Sequence, residues 1–589
     1  MTPPGTDPFR DRSPKGCSKR LGRVLDQPFG LEEESRDRSG GGVGRRGDPP
    51  SPQATHVQPF GLDGAIAHSR RSVAQDSAGF SLPSCLRFFG PVLLIAAALL
   101  FPRAALAQII TIPHPGIPST NNSFSSRITG IGDVDGDGLG DLLSGNYDEV
   151  DPDHPPGEVL RTGSVHVYSG ATGAFIRTLR SPMLGLHSQF GEARTGIDDL
   201  GGDEYPEIVV GASGQRRAYT FSGHTGELVY TLMAPPEYSG ARFGKAVAAL
   251  PDADLDGFQE IAIGAWREES ERGAAYVCLG GSGTVQQRLT SPSPEVGGSF
   301  GYEVAGLPDL DDDGAGDIAI AAVGEETNIP SGGRVHVFSG GTGAFLYTVD
   351  SPYGPCGFGH AVTALADFDG DGSGDFAVGA DCRPPGMPQS YRGIVHIFSG
   401  ATGTRVRTIL SPAAPMPGNF ASSVLGTPDL NGDGWPELLV SAPLETPPGF
   451  PQYNGRAYLF CARTGELLRT FVSPNPTPQT VLNYGQFSTG IAVIPDCSGD
   501  GRPDLAFGSQ DCTGVCPPTT YGAIYIFHSC AADYNYDGTR SVQDIWDFLS
   551  HWLAFGPGQP PGADFNRDGV TDVPDIFAFL NAWFAGCPE

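Results

Sequence analysis

Charge is scarce in this sequence: 18% of 589 residues, against 84 Gly and 53 Pro. That balance excludes a protein of long helices and suits many short strands joined by turns. Basic charge is scarcer still beyond residue 107. The first 107 residues hold 14 Lys and Arg against 10 Asp and Glu, so of the chain's net −30 the remainder carries −34. Such a surface repels nucleic acid and anionic lipid, which are set aside as partners. There is no phosphate loop and no Cys/His set with zinc spacing. Without either, the chain reads as a non-enzyme.

Long apolar segments are also missing. The one candidate, Phe88 to Phe101, is too short to span a membrane. Preceded by Arg87 and closed by Ala105-Leu106-Ala107, it reads as a signal peptide over residues 86–107, which predicts a secreted or cell-surface protein with no stable span after cleavage. Residues 1–85 are rich in Arg, Gly, Pro and Ser without apolar periodicity. They read as disordered, or as the product of a translation start set too far upstream. Two of the 11 Cys precede the cleavage site, and the nine left cannot all pair. Export permits disulfides: the candidates are Cys512 with Cys516, Cys356 with Cys382, and Cys530 with Cys587. Cys278 and Cys461, in strand-like runs, read as buried thiols.

What the chain does have is a repeat. From residue 108 to 529 one unit returns seven times: an aromatic-small pair, an acidic loop, an apolar strand ending near Gly-Ala, a variable loop, then a strand ending in Ser-Gly. The acidic loops begin at Asp133, Asp199, Asp252, Asp309, Asp367, Asp429 and Asp496, a period of 53 to 67 residues. Phe190-Gly191, Phe243-Gly244, Phe300-Gly301 and Phe358-Gly359 are the clear pairs; Phe124-Ser125, Phe420-Ala421 and Phe487-Ser488 are weaker ones. Four short strands per unit predict a mainly β, seven-bladed propeller with four-stranded blades. The seventh unit lacks its fourth strand, while Ile109-Ile110-Thr111-Ile112-Pro113 stands unclaimed. That segment should close the ring.

Loop one, Asp133 to Asp141, places carboxylates at positions 1, 3, 5 and 9 (Asp133, Asp135, Asp137, Asp141) with Gly at position 6, an oxygen set suited to Ca²⁺. The pattern recurs as Asp252, Asp254, Asp256 and Glu260; as Asp309, Asp311, Asp313 and Asp317; and as Asp367, Asp369, Asp371 and Asp375. Loop six offers Asp429, Asn431, Asp433 and Glu437, and loop seven Asp496, Ser498, Asp500 and Asp504. Loop two, with Gly201 at position 3 and Glu204 at position 6, should bind weakly or not at all. One such loop could be a solvated turn; six in register point to metal.

These motifs, in fixed order over residues 108–529, resemble the FG-GAP repeats of the integrin α-subunit N-terminal propeller. The resemblance implies calcium ions in hairpin loops on one rim, stiffening the blades, with partners docking on the opposite face. The loops would then be structural. This chain has more well-formed loops than integrins and nothing that matches an integrin leg domain, so integrin-like adhesion does not follow.

Beyond residue 530 two twelve-position calcium loops appear. Their ligand positions are Asp533, Asn535, Asp537, Thr539, Ser541 and Asp544, then Asp564, Asn566, Asp568, Val570, Asp572 and Asp575. Each runs into a helical apolar pattern, Ile545, Phe548, Leu549 and Trp552 in one and Ile576, Phe579, Leu580 and Trp583 in the other. So small a module, residues 530–589, needs calcium to hold it. The tandem EF-hand-like pair resembles dockerin type I modules, which implies a cohesin-like partner. The positions that family uses for recognition are here Val542-Gln543 and Val573-Pro574, not its familiar Ser-Thr.

The combined reading is a secreted calcium-binding propeller that binds or scaffolds a protein or glycan ligand. Its recognition face would be the long Pro-rich loops at 146–162, 380–392 and 442–455, and its tail would serve docking or surface attachment. The rival reading is an extracellular polysaccharide-active lyase or hydrolase, or its carbohydrate-binding subunit, with a catalytic site assembled across blades. His166, His336 and His396 recur at equivalent strand positions; they read as sheet residues on the strand's polar face rather than a metal cluster, because equivalent residues in separate blades lie far apart.

Overall fold

The computed structural model describes residues 109–585, apart from 116–122, 151–160, 184, 186, 239–240, 327–331, 352, 354–356, 383–392, 414–417, 431–434, 449–452, 476–485, 511–521, 531, 535–539, 556–564 and 566–570. The expected leader and upstream extension therefore lie outside the described residues, as do Cys356, Cys512, Cys516 and Cys587 and much of the three long loops. Cys382 and Cys530 are each disulfide-bonded. Cys278, Cys461 and Cys497 are buried thiols.

Twenty-eight strands form seven antiparallel four-stranded sheets. Blade 1 consists of Ile128–Ile131, Asp141–Asn146, Ser164–Tyr168 and Phe175–Arg180, and blades 2 to 6 repeat that order to residue 471. Blade 7 takes Ile491–Ile494, Asp504–Ser509 and Ala523–Phe527 from the end of the repeat and Ile109–Pro113 from its beginning. All five residues of that first strand pair with the last, from Ile109 opposite Phe527 to Pro113 opposite Ala523. The ring closes as the unclaimed segment predicted. Ile112, 1% exposed, carries the closure into the core between blades 7 and 1.

Every second strand is buried along its whole length, from Asp141–Asn146 to Asp504–Ser509. A strand covered on both faces reads as a continuous apolar run, not an alternating one. Seven clusters of buried side chains lie one between each neighbouring pair of blades. The Phe of each aromatic-small pair is at most 2% exposed. In several blades it stands near edge-on to an aromatic of the third strand, as Phe190 does to Phe221 at 5.9 Å and Phe300 to Phe338 at 5.9 Å.

The small partner of that Phe and the Gly of the Gly-Ala strand end are two halves of one contact between blades. A Cβ on Gly211 would lie 2.1 Å from the carbonyl oxygen of Gly244, one on Gly264 2.1 Å from that of Gly301, and one on Gly508 1.6 Å from that of Ser125. The last of these joins blade 7 to blade 1. Backbone meets backbone there, so a side chain at Gly211, Gly264 or Gly508 would force the neighbouring blades apart.

Two helices follow the ring, Val542–Phe555 (α1) and Val573–Ala585 (α2). Phe548 and Phe579 stack at 4.4 Å under Tyr534, with Ile545, Trp552, Ile576 and Trp583 around them. Trp552 Nε1 donates to the Asp572 carbonyl at 2.9 Å, and Trp583 Nε1 to the Ser541 carbonyl at 3.0 Å. Each helix thus holds the loop that precedes the other. Among the described residues no helix is long and apolar enough to cross a membrane.

Candidate metal centres

Each acidic loop joins the first strand of a blade to its second, and its first carboxylate folds it. Asp133 Oδ1 accepts the N–H groups of Asp135 and Gly136, and Oδ2 that of Gly138. The bond from position 6 to the Asp at position 1 recurs at 2.7–2.9 Å in loops one to five and seven. It is an Asx-type turn, extended by Gly residues with positive φ.

The carboxylate at position 9 opens the second strand and is buried. In loops one to six one oxygen accepts the N–H of position 2, at 2.5–2.8 Å. In blades with Asp the other oxygen takes the N–H that follows the third strand's Ser: Gly170 for Asp141 at 3.1 Å, Gly340 for Asp317 at 3.2 Å, Gly400 for Asp375 at 2.9 Å. The Ser-Gly motif is therefore the far anchor of the acidic loop. Glu260 is longer and leaves Oε1 buried, with no hydrogen-bond partner among the described residues.

Carboxylate oxygens of Asp252, Asp254, Asp256 and Glu260 all lie within 4.8 Å of one another, and so do those of Asp133, Asp135 and Asp141, of Asp309, Asp311 and Asp317, and of Asp367, Asp369 and Asp371. Asp137, Asp313 and Asp375 fall outside these sets. Loop six is described only at Asp429 and Glu437, since Asn431 and Asp433 lie outside the described residues. In loop seven, Asp496 Oδ1 and Ser498 Oγ are buried without hydrogen-bond partners among the described residues, while Asp500 and Asp504 bond the backbone of Arg502 and of Ser498 and Ser529.

In loop two, where weak binding or none is expected, Asp199, Asp203 and Glu207 at positions 1, 5 and 9 form a further acidic set, and Asp199 closes the loop through the same position-6 bond. Glu204 occupies position 6 at φ +73°, where the corresponding Gly residues 138, 257, 314, 372 and 501 range from +82° to +96°. A side chain held there costs about 1 kcal/mol. Glu204→Gly is expected to raise stability by about that amount, read as a shift of the denaturant midpoint at constant slope.

Concentrated acid makes the loops electrostatically uneasy. Burial, with neighbouring carboxylates, pushes Asp141, Glu260 and Asp317 up to about 7 and Asp375 up to about 6. Loss of water and adjacent acids raise Asp254 and Asp311 as well, while N–H groups led by that of Glu204 hold Asp199 down. A bound cation would neutralise each set, and the donors are all oxygen, the chemistry of a hard divalent ion.

In the C-terminal pair, Asp544 and Asp575 are buried and accept the N–H groups of Ser541 at 2.6 Å and Asp572 at 2.7 Å, so positions 9 and 12 of each loop are tied together. Asp533 stands 3.9 Å from Arg469 of blade 6. Asn535, Asp537, Thr539, Asp564, Asn566, Asp568 and Val570 lie outside the described residues.

The three histidines are sheet residues in separate blades, but the polar-face assignment is corrected: all are at most 1% exposed, because third strands are covered on both sides. His166 bonds Glu149 at 2.8 Å and Thr178 at 2.9 Å, and His336 bonds Glu325 at 2.9 Å and Thr348 at 2.8 Å. Tyr276 and Tyr458 reach Glu268 and Glu445 in the same way. These buried glutamates, which the sequence reading missed, pin the loop between strands two and three to its blade. His396 bonds Thr408, and burial lowers it to about 4.

Residues 420–460 match the family profile described as FG-GAP repeat. Integrin alpha-V of Gallus gallus is 26% identical over 239 residues, 37% of this chain and 22% of that one. The chain carries an FG-GAP repeat, and part of it is similar to integrin alpha chains. Integrin alpha-5 of Xenopus laevis is 28% identical over 228 residues (36% of this chain, 21% of the relative), and integrin alpha-11 of Homo sapiens 31% over 163 residues (25% and 14%). The matches thus span between 14% and 22% of the length of these relatives. None of the three is named as an enzyme, in keeping with the non-enzyme reading.

Proposed function

We propose that this chain is an extracellular, calcium-stabilised binding propeller, not an enzyme, with a dockerin-like tail. The observation that carries the reading is the division of labour between the two ends of the blades. Strand direction puts the acidic loops and their Ser-Gly anchors at one end, and the loops between strands two and three, with the connections between blades, at the other. The first set repeats nearly unchanged; the second differs from blade to blade, as recognition loops on a rigid frame do.

In this reading the acidic end holds Ca²⁺. Asp252, Asp254, Asp256 and Glu260 make the fullest site, and the orphaned Glu260 Oε1 is the donor that an ion would satisfy. Loops one, four, five, six and seven use the positions set out above, and loop two adds Asp199, Asp203 and Glu207. The tail, residues 530–589, carries two further ions and attaches the propeller to a cohesin-like partner or a surface. Residues 86–107 direct export and 108–529 form the ring. Calorimetric titration of the full chain should count about six to nine calcium ions, with magnesium a poor substitute because it sheds water reluctantly. One or two ions, or equal affinity for magnesium, would overturn the assignment.

A further inference from the structure

Residues 108–589 contain 23 Lys and Arg, and six of them line two cavities at the end of the blades opposite the acidic loops. The first cavity, about 550 Å³, lies over blades 2 and 3 and is walled by His187, Arg216, Arg242 and Arg267 with Gln189 and Ser213. No acid lines it. The second, about 460 Å³, is the mouth of the central channel. There the two residues after each aromatic-small pair face inward from every blade, bringing Arg127, Lys245, Tyr302, Glu303, His360 and Ser422 together. Arg194 joins them at the channel wall.

Some of this charge is spoken for. Lys245 stands 3.4 Å from Glu192, and Arg267 3.3 Å from Glu271. Arg194 is different: its side chain makes no hydrogen bond or ion pair among the described residues, and its Nε is buried with no partner. Arg127 likewise has no side-chain hydrogen bond there, and its like charge acts on Arg194. Three cations, Arg127, Arg194 and Lys245, share this cavity with two acids, Glu192 and Glu303, and Arg127 and Arg194 make no direct ion pair among the described residues, which leaves positive charge that a carboxylate from outside would match.

The cavities are neighbours. Ser213 Oγ bonds Gln189 of the first at 3.0 Å and Glu192 of the second at 2.8 Å. Trp266 and Tyr302, edge to face at 5.9 Å, connect them, with Arg267 over the Trp266 ring at 4.5 Å and Lys245 over the Tyr302 ring at 5.0 Å. We propose that this face of blades 1 to 4 binds an acidic polysaccharide, seating carboxylates of uronic acid residues along the chain in the two basic cavities. Hydroxyl and amide groups on the walls suit sugar hydroxyls, and the aromatic pair suits the apolar face of a sugar ring. An acidic peptide would use the arginines alone.

The inference rests on the reading of this end as the binding face and names its ligand. The test is calorimetry of the full chain in calcium with oligogalacturonate, against the methyl-esterified oligomer and a polyglutamate peptide. Oligogalacturonate should bind and the other two should not. Arg194→Gln should weaken binding about tenfold, the loss of one charge-assisted contact, and the pair Arg242→Gln/Arg267→Gln about a hundredfold, the loss of two, without lowering the melting temperature. Glu303→Gln, which removes a repelling carboxylate, should tighten it.

Equal binding of the esterified oligomer or of polyglutamate would overturn the polysaccharide assignment. Absence of any binding would do the same and leave the choice of face standing. Binding that survived the arginine substitutions but vanished in Asp254→Asn would place the ligand at the acidic end, and the face assignment would fall with it.

Discussion

Removing calcium from the full chain with a chelator is expected to lower its melting temperature more than any single substitution would. A ligand at a hundredfold excess over its Kd stabilises the fold by about 2.7 kcal/mol per site. Seven propeller sites would then contribute on the order of 20 kcal/mol. The loss also changes the sign of the pH dependence. In the metal-free chain Asp141, Glu260 and Asp317 stand at about 7 and Asp375 at about 6, above their ordinary values, so the folded state holds protons that the unfolded chain releases. Their penalty is full above about pH 7 and is relieved as pH falls towards the ordinary carboxylate range. Melts with chelator should therefore rise from pH 8 to pH 5. With calcium they should fall over the same range, because protons compete with the ion. A chelated melt that matched the calcium-loaded one, at either pH, would leave the acidic loops as solvated turns.

Deleting residues 108–115 should be the second large effect. The segment is short, yet it supplies a whole strand of blade 7, and without it Ala523–Phe527, buried throughout, becomes a bare edge. Ile112 alone is worth about 2–5 kcal/mol as a core side chain. Its five paired residues add ladder bonds at about 1 kcal/mol each. The expected loss exceeds about 5 kcal/mol, measured by denaturant melting in calcium, and the exposed edge should make the truncated chain self-associate. Ile112→Asp tests the same closure without shortening the chain. Melting of both variants at the temperature of the full ring would mean that the velcro strand is dispensable.

Much of this was legible beforehand because repetition amplifies weak signals. One Asp-rich loop is ambiguous, but Asp133, Asp252, Asp309, Asp367, Asp429 and Asp496 at a blade's spacing are not. The closing strand was legible by subtraction, as one strand missing at Phe527 and one spare at Ile109. Loop two departs from the pattern at Gly201 and Glu204 and keeps it at Asp203 and Glu207, so its carboxylates gather as in the other loops without the position-3 ligand.

Local sequence determined the strands, their number per blade, the acidic loops and the helical pair, because each depends on spacing within a few dozen residues. Only the tertiary structure decided what those motifs touch. That the Gly of Gly-Ala lies against the small residue of the next blade's aromatic-small pair, that Ser-Gly anchors the position-9 carboxylate, and that His166 and His336 are buried against Glu149 and Glu325 all follow from how blades and their returning strands stack. The same holds for Arg127 and Arg194. They come from neighbouring blades, 67 positions apart in the chain, and only the packing of blade 1 against blade 2 brings the two cations to one channel mouth.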